Sequence, residues 1–591
     1  MKDFLKYTLA SIVGWFVAGI AFLLVGILAL AGLMASASSE SETVVKDNSV
    51  YLLRLSGTVV ERYASSPFDK YMGAVQSPLS LTDMLASIRK AKDNDKIKGI
   101  YLEAGSLSCA PATMQAIRRA LADFKESGKF IIAYSDGYQQ NTYYIASLAD
   151  RLVVNPKGSI AWHGLSQQTM FLKGLLEKMG VEMQVFRVGT YKAAVEPFIA
   201  TEMSEANRKQ IQAYLDDIWS QMVGDVAAAR SLTAGQLDEL ADEHMDLQPA
   251  ETYVRQGLAD TLLYKDQVVD LLVEQMGVEE EDDLELLTTQ DMMGIQRNVP
   301  KDMSGNIVAV YYAFGEIDNG VDDSYEQEGI HAKTVIADLR RLRKDDDVKA
   351  VVLRVNSPGG SAYASEQIWR EVSLLKAQKP VVVSMGDYAA SGGYYISCPA
   401  DWIVAEPTTL TGSIGIFGMV PNASQLLNKE LGLRFETVKT NRLADLGDLS
   451  RPWTPEEKAL MQRSVDQGYE LFTLRCAEGR GLSQDSIKRI AEGRVWSGLQ
   501  AQQLHLVDEL GGMDRAIAEA VERAGVDRYS LVSYPSSRSL LDRLADVGME
   551  RYIEARLRTS FDGYFQSVSW LRRLKEADRL QARLPFEGVI E

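Results

Sequence analysis

Cysteine and histidine are nearly absent from this chain: three Cys (Cys109, Cys398, Cys476) and four His (His163, His244, His331, His505) occur in 591 residues. Three thiols make no disulfide framework. Four scattered imidazoles argue against a His-based zinc site or a His-dependent triad. Positive charge is also in deficit. The 63 Lys and Arg face 81 Asp and Glu, for a net charge of −18, and no long Lys/Arg cluster occurs. A phosphate-backbone partner calls for a basic stripe, so no nucleic acid is expected. Any chemistry must rest mostly on Ser, Lys, Tyr, Asp or Glu, with no metal and no cofactor. What is present is ordinary globular material, 46% apolar and 24% charged, which excludes disorder throughout.

One apolar run is long. Tyr7 to Ser39 carries no charge, and its most apolar part, Ile12 to Met34, has 23 residues. As a helix it would measure about 35 Å, against a bilayer core of about 30 Å. Lys2 and Lys6 precede it, and Lys46 is the first basic residue after it. The positive-inside rule predicts a single-pass anchor with the N-terminus in the cytoplasm and the rest of the chain outside. Ala35-Ser36-Ala37 has the form of a signal-peptidase site, but signal h-regions are shorter, about 7 to 15 residues. No later segment reaches a spanning length without charge.

The remainder is one unit written twice. Asp95 to Pro156 realigns on Asp346 to Pro407 at a constant offset of 251: Lys98 to Leu102 on Lys349 to Leu353, Asp136 on Asp387, Tyr143-Tyr144-Ile145 on Tyr394-Tyr395-Ile396, Ala149-Asp150 on Ala400-Asp401. After a three-residue gap, Gly158-Ser159-Ile160 falls on Gly412-Ser413-Ile414. The expected organisation is 1–45 for the cytoplasmic start, anchor and linker, 46–298 and 299–541 for the two copies, and 542–591 for a tail with amphipathic helical pattern (Leu540, Leu541, Leu544, Val547). The acidic run Glu279 to Asp283 reads as a solvated linker. Within each copy, short β-branched runs alternate with helical spacing. Ile307 to Ala313, Ala350 to Val355 and Pro380 to Ser384 read as strands and Ser365 to Ala377 as a helix. The fold class is therefore α/β with buried, largely parallel strands.

Two Gly-rich stretches of the second copy read as turns after strands: Asn356-Ser357-Pro358-Gly359-Gly360-Ser361, and Gly386 to Gly393. In α/β sheets such loops form the binding crevice. Their open N–H groups suit an oxyanion hole, with the Ser391 hydroxyl beside them. A lone Pro-Gly-Gly is usually only a turn, and a lone Ser before Gly-Gly usually only caps a helix. The copies differ in an informative way. Gln140 and Asn141 stand where the second copy has Ser391 and Gly392, and the first lacks the Pro-Gly-Gly. A nucleophilic Ser needs a base, and no His is near in sequence. Lys is the alternative, but at pH 7 only about one unperturbed Lys in 2500 is neutral, so a lysine base must be buried. Lys192, in Val188 to Phe198, lies among small and apolar residues, and the aligned position in the second copy is Ala444. The first copy keeps the Lys and lacks the Ser, while the second does the reverse, as one composite site would require. The plainer reading of Lys192 is a surface side chain with a snorkelling stem.

At these residues the chain resembles the signal peptide peptidase A family, also called protease IV, in its long duplicated bacterial form. The motifs are Gly189-Thr190-Tyr191-Lys192 running into Glu196-Pro197-Phe198, Asn356 to Gly360, Tyr388 to Tyr395 and Thr411 to Gly415. The resemblance implies two tandem Clp protease/crotonase-like domains and a membrane-anchored serine endopeptidase with a Ser/Lys dyad. It implies Ser391 as nucleophile, Lys192 as general base, and Ser413 as the residue orienting the lysine. The N–H groups near Gly359, Gly360 and Gly392 would form the oxyanion hole, with the choice between the two loop glycines open. It further implies a homotetramer, a location in the bacterial inner membrane with the catalytic part periplasmic, and apolar peptides such as signal-peptide remnants as substrates. Two rival readings share the Gly-rich loops: a crotonase-like enzyme acting on CoA thioesters, and a non-catalytic membrane scaffold.

Overall fold

A computed structural model describes residues 43–63, 78–295, 302–320, 329–535 and 580–584, with isolated residues between 6 and 25. The stretch Ile12 to Met34 lies largely outside these residues, as do Leu540 to Val547. Among the described residues no helix is long and apolar enough to cross a membrane.

Each copy builds a parallel sheet. In the first, the strands Ser49–Val60, Ile97–Ser108, Phe130–Tyr138 and Arg151–Ile160 lie side by side in chain order. In the second, Ile307–Phe314, Val348–Ser357 and Val381–Ala390 do the same. Alternating residues of one strand enter different cores. Val308 and Val310 pack with Val352, Val382, Ala516 and Ala520, whereas Ala309 and Tyr311 pack with Val351, Leu353 and Val383 on the other face. A strand buried on both sides has no polar face to show, which is why these segments read as near-continuous apolar runs. The duplication extends to helices: Pro111–Lys125 corresponds to Ala362–Lys376, and Glu205–Arg230 to Pro455–Arg480.

Buried polar contacts join the copies. The Asp387 carboxylate accepts from Thr113 N and Oγ1, both at 2.8 Å. Arg354 and Glu61, both buried, pair at 2.6 Å. Burial raises the Asp387 pKa above the usual aspartate value, and the Thr113 bonds partly oppose it.

A third sheet is assembled from both copies and the C-terminal segment. Its order is Ile330–His331, Ile317–Asp318, Gly359–Ser361, Leu580–Arg583, Phe417–Asn422 and Glu182–Arg187. Two expectations change here. Gly386 to Ala390 is not a turn: Val381–Ala390 is one strand, with a register irregularity where Ser357 meets Ala389. The kink absorbs the glycine while the ladder continues. The expected helical tail is, where described, an extended strand at Leu580–Arg583. Flanked by two strands, it gives its backbone polar groups partners on both sides.

Candidate active site

The strand Val381–Ala390 delivers Ser391, and the helix Gly392–Ser397 begins at once after it. Ser391 has φ 55° and ψ −112°, a region that residues with a Cβ rarely occupy. Such strain at a strand-to-helix junction projects a side chain out of the turn, and it persists only where the surroundings enforce it. Here the Ser391 N–H donates to Gly412 O at 2.8 Å. Gly392 and Gly393 are required by close approach: a Cβ on Gly393 would stand 2.7 Å from Ser357 O.

Lys192 arrives from the other copy. The strand Glu182–Arg187 pairs antiparallel with Phe417–Asn422, Arg187 opposite Phe417, and carries the following loop onto the second copy. The loop is pinned by Tyr191 N donating to Glu492 O at 3.0 Å and by Gln210 Nε2 donating to Tyr191 O at 3.1 Å. Two glycines make room for the lysine stem. A Cβ on Gly493, at φ +77°, would stand 2.7 Å from Lys192 Cβ, and one on Gly415 would stand 3.3 Å from Lys192 Cδ.

The two loops meet. Lys192 Nζ lies 2.8 Å from Ser391 Oγ and 3.1 Å from both Ser413 O and Ser413 Oγ; as a neutral amine its two N–H groups donate to Ser413 and its lone pair faces the Ser391 hydroxyl. All three side chains are fully buried. Burial alone pushes the Lys192 amine well below the ordinary lysine pKa, because a charge removed from water is disfavoured. An uncharged amine can accept a proton, and one that already touches a serine hydroxyl is placed to do so.

Of the three glycines, two lie together. A Cβ on Gly359 would stand 2.8 Å from Gly392 N, whereas one on Gly360 would strike Ile317 O at 2.1 Å. Gly360 is thus turned toward the Ile317–Asp318 strand and away from Gly392. The Gly359 N–H donates to Ser357 Oγ at 3.1 Å. Gly392 opens a helix, and the first N–H groups of a helix have no acceptor within it.

The composition and repeat pattern pointed to Ser391 and Lys192. They did not point to Gly493 beside the lysine stem or to the Leu580–Arg583 segment, and they gave no role to Gly415 or Ser357 within the stretches they marked. Only the folded contacts reveal those. No group of three or more His, Cys, Asp and Glu that could hold a metal ion occurs among the described residues.

The model of Peptidase family S49 matches residues 123–279 and 373–527, once in each copy. The Clp protease model matches residues 324–402. Protease 4 of Salmonella typhi is 36% identical over 515 residues, spanning 84% of this chain and 81% of that protein. Protease 4 of Haemophilus influenzae is 34% identical, spanning 85% and 82%. The chloroplastic serine protease SPPA of Arabidopsis thaliana is 34% identical, spanning 85% and 74%. The chain belongs to Peptidase family S49, in its duplicated protease IV branch with a Clp-protease-like α/β fold, and is a serine protease.

Proposed function

We propose that the chain is a membrane-anchored endopeptidase working through a Ser391/Lys192 dyad shared between its two copies. The observation that carries this reading is the 2.8 Å hydrogen-bond contact between Lys192 Nζ and Ser391 Oγ in a site without exposed surface. Neutral Lys192 takes the Ser391 Oγ proton as the oxygen attacks a peptide carbonyl. The carbonyl π pair moves onto its oxygen, and the Gly392 N–H holds the charge together with a donor from the Gly359–Gly360 loop. Collapse breaks the C–N bond, and the lysinium gives its proton to the leaving amine. Water, deprotonated by the same amine, then hydrolyses the acyl-enzyme and restores Ser391. Ser413 orients Nζ through two acceptors, which fixes the base without charging it.

The stretch Ile12 to Met34 supplies the anchor, with the catalytic body on the periplasmic side of a bacterial inner membrane. Residues 46–298 and 299–541 act as the Lys-bearing and Ser-bearing halves, and the assembly is a homotetramer. Apolar peptides released in the membrane, such as signal-peptide remnants, are the substrates that suit an anchored peptidase. The experiment is hydrolysis of a synthetic signal peptide by detergent-extracted enzyme, with mass spectrometry of the products. Cleavage within the apolar stretch, lost in Ser391→Ala, is expected. Cleavage retained in Ser391→Ala would overturn the assignment.

A further inference from the structure

The strands Val348–Ser357 and Val381–Ala390 fall out of step just before the site. Val355 pairs with Met385, and the next pairing is Ser357 with Ala389. The single residue Asn356 therefore stands opposite Gly386, Asp387 and Tyr388, and its side chain fills the gap in the ladder. Asn356 Oδ1 accepts from Tyr388 N at 3.1 Å, and Nδ2 donates to Asp387 Oδ2 at 3.3 Å. The partners fix which way the amide faces, because a backbone N–H needs the oxygen and a carboxylate needs the nitrogen. A Cβ on Gly386 would stand 2.9 Å from Asn356 Cγ, so only glycine leaves room for the amide there. Asp387 is held in turn from the other copy, where Thr113 N donates to Oδ1 and Thr113 Oγ1 to Oδ2, both at 2.8 Å. Two arms of the site leave from this point. Asn356 leads into Ser357-Pro358-Gly359, in which Gly359 N donates to Ser357 Oγ at 3.1 Å, and Tyr388 leads through two alanines to Ser391. The first copy offers an internal comparison. At the offset of 251, Gly105 stands in place of Asn356 and Asp136 in place of Asp387. Asp136 accepts from Tyr134 OH at 2.6 Å and Asn155 Nδ2 at 2.9 Å, both of its own copy. The copy without the serine thus keeps the carboxylate and lacks the amide.

The geometry points to Asn356 as a positioning residue for peptide hydrolysis: its amide sets the spacing between the Gly359 loop and Ser391, and Thr113 of the first copy steadies it through Asp387. The inference rests on the reading of Ser391 and Lys192 as the active pair, and it gives the first copy a second task beside supplying the lysine. Asn356 acts through the backbone of the two arms. Oxyanion donors act on a charge that appears only in the transition state. A loop displaced relative to Ser391 therefore lowers kcat and kcat/KM together and leaves substrate binding alone. A displacement of about 1 Å costs about 100-fold in rate. The lysine is kept neutral by its own burial, outside this network, so its titration stays where it is. The Asn356–Asp387 bond also joins one amide to one carboxylate, and exchanging the two residues reverses the bond at constant charge.

The test is kcat and KM of the full detergent-extracted enzyme on a fluorogenic peptide amide across pH, with urea unfolding of every variant. Asn356→Ala should lower kcat about 100-fold, with KM within about twofold and the pH midpoint unchanged. Asn356→Asp sets two carboxylates side by side and should lose at least as much. In the double variant Asn356→Asp/Asp387→Asn the new amide donates to the new carboxylate, Tyr388 N still meets an oxygen, and Thr113 Oγ1 turns to accept. Its kcat should recover at least tenfold over Asn356→Asp. Thr113→Val, in the other copy, removes one hydrogen bond and should lower kcat about fivefold at unchanged KM. Wild-type kcat in folded Asn356→Ala, a raised KM with kcat unchanged, or no recovery in the double variant overturns the inference and leaves the dyad standing. If the single Asn356 variants lose cooperative unfolding, Thr113→Val decides, and wild-type kcat there overturns the inference. Hydrolysis retained in Ser391→Ala overturns the dyad reading and the inference with it.

Discussion

Replacing Gly493 by Ala probes the lysine without touching it. The new methyl would sit 2.7 Å from Lys192 Cβ, whereas carbon atoms rest at about 3.5 to 4.0 Å. One of the two backbones must therefore retreat by about 1 Å, and a misplacement of that size at a reacting group costs about 100-fold in rate, or about 2.7 kcal/mol of barrier. Gly493 also has φ +77°, so any side chain adds roughly 1 kcal/mol of backbone strain. The strain can be separated from the displacement. Gly525 has φ +63° and nothing within 4 Å of a built Cβ, so Gly525→Ala carries the strain alone. The assay is kcat/KM on a chromogenic peptide ester beside urea unfolding of both variants. Gly525→Ala should lose about 1 kcal/mol of stability and keep its kcat/KM. Gly493→Ala should lose at least as much stability and about two decades of kcat/KM. Equal kcat/KM in the two variants would refute the claim that the packing around the lysine stem sets the geometry of the dyad.

Other outcomes follow from the same contacts. Lys192→Arg should be inactive in peptide hydrolysis, because guanidinium keeps its proton at working pH. Ser413→Ala removes one of the two Ser413 acceptors on Nζ and should lower kcat about tenfold with little change in KM, by the net worth of one hydrogen bond. Glu61→Gln leaves the buried Arg354 without its carboxylate and should cost about 3 to 5 kcal/mol in chemical denaturation, an effect that a surface pair would not show. Stability should also respond to pH through Lys192. Between its depressed folded value and the ordinary 10.5, the unfolded chain holds a proton that the folded chain lacks. Wild type should thus gain stability relative to Lys192→Met as pH rises through that window, measured by urea midpoints.

The two parallel sheets were legible because a strand buried on both faces writes an apolar run, and because the offset of 251 repeats the run for Ile97–Ser108 and Val348–Ser357. The dyad was legible from complementary absence, Ser in one copy and Lys in the other. The third sheet was not. Its strands are short, as at Ile317–Asp318, and Glu182 meets Asn422 across a separation of 240 residues that runs from one copy into the other. No local periodicity records a pairing of that range. The Gly386 to Ala390 stretch departs from its reading for a related reason: composition marks a glycine as a turn, whereas the strand passes through Gly386 unpaired and resumes its pairing at Tyr388 with Leu410 and at Ala389 with Ser357. The Leu580–Arg583 strand lies in a tail read from the helical spacing of Leu540 to Val547, well upstream, and its extended form comes with the strands that flank it.

The central claim is that an uncharged lysine from one copy deprotonates a serine from the other. The direct measurement is the second-order labelling rate of Ser391 by a fluorophosphonate from about pH 5 to about pH 11, in wild type and Lys192→Met. Wild type should show one rising limb with its midpoint well below about 10.4, and Lys192→Met should be slow and without that limb. The same limb in Lys192→Met, or a wild-type midpoint at the ordinary lysine value, would contradict the account.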